Sequence, residues 1–180
     1  SDAGKMSPRN LLVSTMSDQL KLATDFRSKV IGVSLKDRAS ILPAGHAADA
    51  AYWFDSKNGV FISSTYYMKQ LPKWVNDFNK AHRQTKDIRT SPAGLTIVAD
   101  MALAAIDGED LGNHDVTDFL AVSFSSTDYI GHEYGTRAPI TREAYKTLDA
   151  DLARLFARLD AKLGKGNYLV FLTADHAATH

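Results

Sequence analysis

Two pairs of acidic and histidine residues stand at spacings that suit metal binding. Asp128 and His132 are four residues apart, so they share a face if a helical turn begins there. Asp175 and His176 are adjacent after an apolar run, where a sharp turn can direct both side chains at one ion. Carboxylates and imidazoles are zinc ligands. Each pair alone is also explained by a helix cap beside a chance histidine, but together they predict neighbouring metal half-sites of the kind that two-metal chemistry needs.

A lysine and an arginine form a second candidate site. Lys36 and Arg38 are two positions apart, so they point the same way if the chain stays extended. Such a pair suits a phosphate dianion, because arginine can bind two oxygens and lysine adds a point charge. For this triplet alone, an ordinary solvated strand end is the simpler interpretation. Asp37 is expected to point the other way.

Buried strands must bring these residues to a common edge. Apolar runs predict strands at 30–35, 118–124 and 168–172, and a helix opened by Thr141 links the last two. Strand, helix, strand predicts a parallel βαβ unit, and ligands bind at the carboxyl ends of parallel strands. Asn58-Gly59 predicts a hairpin between two β-rich runs. The fold class predicted is α/β, with a mainly parallel sheet, flanking helices and a small β-hairpin insertion.

Composition excludes several classes of function. The 180 residues carry 21 lysines and arginines and 21 acidic residues, so we expect no nucleic-acid partner and no basic membrane anchor. No apolar run approaches the ~20 residues of a membrane span. The chain has no cysteine, which excludes disulfides, thiolate metal sites and cysteine nucleophiles.

The motifs resemble those of the alkaline phosphatase superfamily. Asp-Tyr-Ile-Gly-His-x-x-Gly at 128–135 and Thr-Ala-Asp-His at 173–176 are similar to its two-zinc signatures. Lys36-Asp37-Arg38 is similar to the lysine and arginine that PafA-like bacterial alkaline phosphatases place on phosphate. Segments 40–46, 63–68 and 118–128 also match that group, and the likeness covers nearly the whole chain.

The resemblance implies a role for each candidate residue. Asp128 and His132 would bind one zinc ion, and Asp175 and His176 the other. Lys36 and Arg38 would hold the transferring phosphoryl group. The implied reaction is hydrolysis of small phosphate monoesters through a phosphothreonine intermediate, with two zinc ions in the intact enzyme, in the periplasm or outside a bacterial cell.

The resemblance also implies that parts of the site lie outside this sequence. The family's nucleophilic threonine and first aspartate ligand come upstream of the lysine-arginine segment, and its final histidine ligand comes well downstream. Residues 1–180 are therefore expected to be a partial alkaline-phosphatase-like domain, an internal portion of a longer phosphatase that is inactive alone. Residues 40–90 are predicted as a hairpin-plus-helix insertion, and the connection from Phe78 to Thr90 is shorter than in the family. Self-association is one way to cover a strand edge left by missing neighbours.

Two other functions stay open. One is a phosphodiesterase or nucleotide pyrophosphatase of the same superfamily, although the lysine-arginine pair favours a monoesterase. The other is a non-catalytic module that binds zinc or phosphate. Among the remaining histidines, His46 is expected to orient a loop, His82 and His114 are expected at the surface, and His180 is a further candidate ligand.

Overall fold

The fold was obtained as a computed structural model that describes residues 2–177. The candidate ligand His180 lies outside these residues. Two short 3₁₀ turns, Asp2–Gly4 and Pro8–Asn10, precede the regular elements. Those elements are α1 (Met16–Ala23), β1 (Val30–Ser34), α2 (Asp37–Ala44), β2 (Ala50–Asp55), β3 (Val60–Ile62), α3 (Lys73–His82), α4 (Ala93–Gly108), β4 (Phe119–Ser123), α5 (Ser126–Tyr134) and α6 (Pro139–Leu163). None of the described helices is long and apolar enough to cross a membrane.

The strands form one four-stranded sheet in the order β3-β2-β1-β4. β1 pairs in parallel with both β2 and β4, with Ser34 opposite Ser123 at the carboxyl ends. β3 runs antiparallel to β2, which confirms the hairpin predicted around Asn58-Gly59. β1 and β4 therefore end side by side, where the candidate phosphate and metal residues begin.

Helices cover both faces of the sheet. Ile31 and Val33 of β1 face the main core, which also contains α3, α4 and part of α6. Gly32 faces α2 on the other side, where a Cβ would lie 2.2 Å from the Ser40 carbonyl oxygen. This close approach explains why the strand carries glycine between two β-branched residues, since any larger side chain would push α2 away from the sheet.

The amino-terminal helix is fixed by its cap and by an ion pair of its buried lysine. The Thr15 hydroxyl accepts the Asp18 N–H while the Asp18 carboxylate accepts the Thr15 N–H, which is a reciprocal capping box. Lys21 donates to both carboxylate oxygens of Asp49 and to the Ser28 carbonyl. Asp49 also accepts the Val30 N–H at 2.7 Å, so this network anchors the start of β1.

The predicted third buried strand at 168–172 is wrong for the part of the chain described. These residues form no strand, and Leu169, Phe171 and Leu172 are 70–77% exposed. The helix before them is present as α6, which ends at Gly164 with a positive φ of 85°. A strand needs a hydrogen-bonding neighbour, and none of the described strands pairs with this segment.

Candidate phosphate and metal site

The ends of β1 and β4 are joined by a serine network. The Ser34 hydroxyl donates to the Ser123 carbonyl oxygen and lies 3.0 Å from the Ser125 hydroxyl. It also accepts the backbone N–H of Lys36. The segment after β1 is therefore tied to the segment after β4, and this brings Lys36 beside α5.

Lys36 forms an ion pair with Asp128 at the centre of the site. Its Nζ lies 2.5 Å from Asp128 Oδ2 and 4.5 Å from the centre of the Tyr129 ring. The hydrogen bond from Lys36 holds the pKa of the Asp128 carboxyl below its ordinary value, although partial burial opposes this shift. The nearby His132 and His176 lower that pKa further when they are charged. Asp128 is thus a carboxylate that remains ionised and surrounded by cationic or imidazole groups.

The four predicted metal ligands lie close to one another. Asp128 and His132 share a face of α5, as their spacing predicts, with His132 Nε2 at 3.2 Å from Asp128 Oδ1. His176 Nε2 is 3.6 Å from the same oxygen, and the neighbouring Asp175 is 3.8 Å from His176. The loss of the predicted strand at 168–172 therefore does not separate the two motifs.

These contacts stop short of a complete metal site. Within residues 2–177, no three or more His, Cys, Asp or Glu side chains are grouped so that they could hold one ion. His132 is mostly exposed, and Asp175 is almost fully exposed. The donor types suit zinc, but the described residues supply a chain of pairwise contacts rather than a closed ligand set.

The backbone at Arg38 differs from the one predicted. The chain is not extended from Lys36 to Arg38, because α2 begins at Asp37 with Lys36 as its N-cap residue. The predicted alternation of Lys36 and Arg38 along a strand is therefore wrong, and the Asp37 carboxylate accepts the Arg38 N–H. The Arg38 side chain is exposed and forms no ion pair with any residue in the described range 2–177. Its guanidinium is free to bind an anion.

Tyr129 and Arg89 complete the cluster and were missed by the sequence reasoning. Arg89 lies 5.6 Å from the centre of the same Tyr129 ring that Lys36 contacts. Asp87 holds the Arg89 guanidinium through both carboxylate oxygens. Tyr129 could have been suspected because it follows Asp128, but no motif marks Arg89 within the polar connection between α3 and α4.

The remaining histidines have structural roles. His46 joins two segments, since its ring nitrogens lie 2.9 Å from the Leu11 carbonyl oxygen and 3.3 Å from Asp18. His82 stacks on Phe78 at the end of α3. His114 is exposed, as expected, and it is paired with Asp118 at 2.7 Å.

The fold and the candidate site together define the class of protein. The chain is an α/β protein with a lysine–aspartate ion pair and an aspartate–histidine cluster at the carboxyl ends of its parallel strands. The family model "Type I phosphodiesterase / nucleotide pyrophosphatase" matches residues 11–180, and the chain belongs to this family.

Curated relatives place the chain near bacterial alkaline phosphatases. It is 47% identical over 228 aligned positions to alkaline phosphatase PafA of Elizabethkingia meningoseptica, covering 98% of this chain and 42% of that protein. It is 46% identical to a Myroides odoratus protein named as a calcium-transporting ATPase, covering 98% of this chain and 42% of that protein. It is 45% identical to alkaline phosphatase PhoV of Synechococcus elongatus, covering 100% of this chain and 42% of that protein. The chain thus spans less than half the length of these relatives.

The solved structures agree with the sequence comparison. A crystal structure of wild-type alkaline phosphatase PafA matches with a TM-score of 0.95 and 46% identity, covering 99% of this chain and 44% of that one. A PafA variant with a threonine, an asparagine, a lysine and an arginine replaced matches with a TM-score of 0.89 and 43% identity, covering 93% of this chain and 42% of that one. The replaced lysine and arginine stand two positions apart, which is the spacing of Lys36 and Arg38.

Proposed function

We propose that this chain supplies the phosphoryl-binding cations and part of a two-zinc site in a phosphate monoester hydrolase. The observation that carries the proposal is the position of Lys36, which lies at the carboxyl end of β1 in contact with Asp128. Arg38 stands beside it on the first turn of α2 with its guanidinium unpaired within the described chain. A lysine and an arginine at the same spacing were chosen for replacement in PafA, which supports the same role here.

Lys36 and Arg38 would bind the non-bridging oxygens of the phosphoryl group. Negative charge is spread over these oxygens in the transition state, and fixed cations stabilise it with little reorganisation. Asp128 keeps the Lys36 ammonium in position and remains ionised itself, because its pKa is lowered. Small phosphate monoesters are the substrates that this arrangement suits.

Asp128 and His132 would hold one zinc ion, and Asp175 and His176 a second. Zinc, when bound, would activate the attacking oxygen and stabilise the leaving oxygen. Two side chains per ion are fewer than a zinc site requires, so the remaining ligands and the nucleophilic threonine would come from the part of the relatives that this chain does not match. We therefore expect the 180 residues alone to give no turnover. A periplasmic or secreted location belongs to the same proposal.

The second candidate function is hydrolysis of phosphodiesters or nucleotide pyrophosphates. The matching family model carries that name, and this is the observation in its favour. A diester presents one charged oxygen fewer than a monoester, so it makes less use of two adjacent cations. The lysine-arginine pair therefore favours the monoesterase.

A chimera tests the proposal directly. In this fusion protein, called the chimera below, residues 1–180 of the present chain replace the matching region of the Elizabethkingia meningoseptica alkaline phosphatase. We expect it to hydrolyse p-nitrophenyl phosphate. Lys36→Ala and Arg38→Ala should each lower kcat/KM by about 100-fold, as expected for loss of one transition-state contact.

Lys165→Ala provides the matched control. Lys165 is an exposed lysine that follows α6, and the last turn of α6 pairs with Asp110, which precedes the amino end of β4. Lys165 therefore lies away from the carboxyl ends of β1 and β4, and its removal should leave kcat/KM unchanged. A folded chimera whose turnover survives both Lys36→Ala and Arg38→Ala would overturn the assigned role of this pair.

A further inference from the structure

The Lys36 ammonium is held by an aromatic ring as well as by an anion. Its Nζ lies 2.5 Å from Asp128 Oδ2 and 4.5 Å from the centre of the Tyr129 ring. The Lys36 side chain is 32% exposed, so burial does not fix its flexible four-carbon stem. A partly exposed ion pair restrains such a side chain weakly. The ring face adds a second attraction from another direction, and two attractions together define where the ammonium lies.

Asp128 has other demands on its charge, whereas Tyr129 does not. Asp128 Oδ1 lies 3.2 Å from His132 Nε2 and 3.6 Å from His176 Nε2. In the proposed function the same carboxylate also binds zinc, and a carboxylate that shares its charge with a metal ion attracts an ammonium less strongly. The Tyr129 ring is not a zinc ligand, so its hold on Lys36 is the same in both situations.

The Tyr129 ring is itself held by a rigid part of the chain. Arg89 lies 5.6 Å from the ring centre, and both carboxylate oxygens of Asp87 hold the Arg89 guanidinium. Between these two residues, Ile88 is buried in the main core, and its carbonyl oxygen accepts the Ser91 hydroxyl at 2.8 Å. The connection that carries Arg89 is therefore anchored in the core, and Arg89 can brace the ring from a fixed position.

These contacts give Tyr129 a role in the candidate site. We propose that Tyr129, braced by Arg89, is a positioning residue for Lys36, whose ammonium it keeps directed at the phosphoryl oxygens. Tyr129 acts through Lys36 and does not itself contact the phosphoryl group. This inference rests on the proposed function, because it assigns Tyr129 to the binding of the same phosphoryl group.

A double-mutant cycle in the chimera tests the inference. Tyr129→Leu removes the ring but keeps an apolar side chain, and it should lower kcat/KM for p-nitrophenyl phosphate about 10-fold, as expected for loss of one partly desolvated cation–π contact. Tyr129→Phe keeps the ring and should restore kcat/KM to within about 2-fold of the parent. In the Lys36→Ala background, Tyr129→Leu should cause no further loss, because the group that the ring positions is absent.

Two outcomes of the cycle would overturn the inference. One is full activity of Tyr129→Leu. The other is an equal loss from Tyr129→Leu with and without Lys36→Ala, which would show that the ring supports the fold in general and not Lys36. A folded chimera whose activity survives Lys36→Ala would refute the proposed function instead, and the contact between ring and lysine would then be judged by the next measurement alone.

Proton NMR of the 180-residue chain tests the contact without turnover. The protons on Lys36 Cε lie near the Tyr129 ring, so the ring current should shift their resonance upfield. The shift should persist in Tyr129→Phe and disappear in Tyr129→Leu. A folded parent chain without an upfield shift of these protons would contradict the contact.

Arg89→Ala tests the brace. It should lower kcat/KM of the chimera by about 3-fold, less than Tyr129→Leu, because Arg89 acts one contact further from Lys36. Arg158→Ala is the matched control, since Arg158 is also an arginine paired with an aspartate, but it joins α6 to Asp107 near the end of α4. Its removal should leave kcat/KM unchanged. Equal effects of the two substitutions would contradict the role of Arg89.

Discussion

The close packing of α2 on β1 gives a prediction whose size follows from the structure. In Gly32→Ala, the added Cβ would lie 2.2 Å from the Ser40 carbonyl oxygen and 3.1 Å from the Ala44 Cβ. The first distance is more than ~1 Å shorter than an optimal non-bonded contact, and the obstacle is helix backbone rather than a flexible side chain. We therefore expect α2 to move outward, at a cost of about 2 kcal/mol in unfolding free energy, which is typical of overpacking.

Gly131→Ala is the matched control, with the opposite expected sign. Gly131 lies inside α5, and outside the backbone of its own helix no described atom stands within 4 Å of an added Cβ. Alanine should stabilise this helix by about 0.5–1 kcal/mol because glycine loses more backbone entropy on folding. Urea unfolding of the 180-residue chain measures both changes. A Gly32→Ala variant as stable as the parent, or a destabilised Gly131→Ala variant, would refute the packing described here.

Three further predictions follow from the ion pairs and the candidate site. Asp49→Asn leaves the Lys21 ammonium, whose side chain is only 5% exposed, without its counter-ion, and should cost about 2–3 kcal/mol in urea unfolding; no measurable loss would contradict the network. Asp18→Ala removes the acceptor of two backbone N–H groups and should cost about 2 kcal/mol at pH 7. Burial raises the pKa of the Asp18 carboxyl, but the hydrogen bonds that it accepts outweigh this effect and hold the pKa below its ordinary value. The contribution of Asp18 to stability is therefore present above pH ~4 and lost as the pH falls. Asp18→Ala should therefore lose less stability on acidification than the parent chain, and equal losses in the two proteins would contradict this. Lys36→Met removes the main cause of the lowered Asp128 pKa, which should return toward its ordinary value in a carbon-13 NMR titration; an unchanged pKa would contradict the ion pair.

The elements that satisfy their own hydrogen bonds were predictable from the sequence. Helix α6 has leucines at steps of three and four and ends at Gly164, and both features depend on local chemistry alone. The β1 strand and the hairpin of β2 and β3 were also predicted, because their apolar runs have neighbours inside the chain. Residues 168–172 have the same apolar composition, but a strand forms only where another strand is available to pair with it.

Helix α2 is the opposite case, because tertiary packing stabilises it more than its local helix propensity does. It contains Pro43, which disfavours a helix interior. Burial of Ile41 and Ala44 against the sheet stabilises it instead. The predicted extended arrangement of Lys36 and Arg38 was wrong for this reason, since the sequence alone does not show that Gly32 leaves room for a helix.

The candidate site was predictable in its residue types and only partly in its geometry. The spacing of Asp128 and His132 gave their shared helix face directly. The contact of Lys36 with Asp128 joins residues 92 positions apart, so only the strand order could place them together. Arg89 approaches Tyr129 from a connection with no recognisable motif, and no sequence pattern could have assigned it.

The relative turnover of a monoester and a diester by the chimera tests the central claim most directly. Kcat/KM would be measured for p-nitrophenyl phosphate and for bis(p-nitrophenyl) phosphate under the same zinc concentration. We predict that the monoester is hydrolysed faster, because in the proposed site Lys36 and Arg38 would together stabilise the more highly charged phosphoryl group. Faster hydrolysis of the diester by a folded chimera would contradict the monoesterase assignment and favour the phosphodiesterase function.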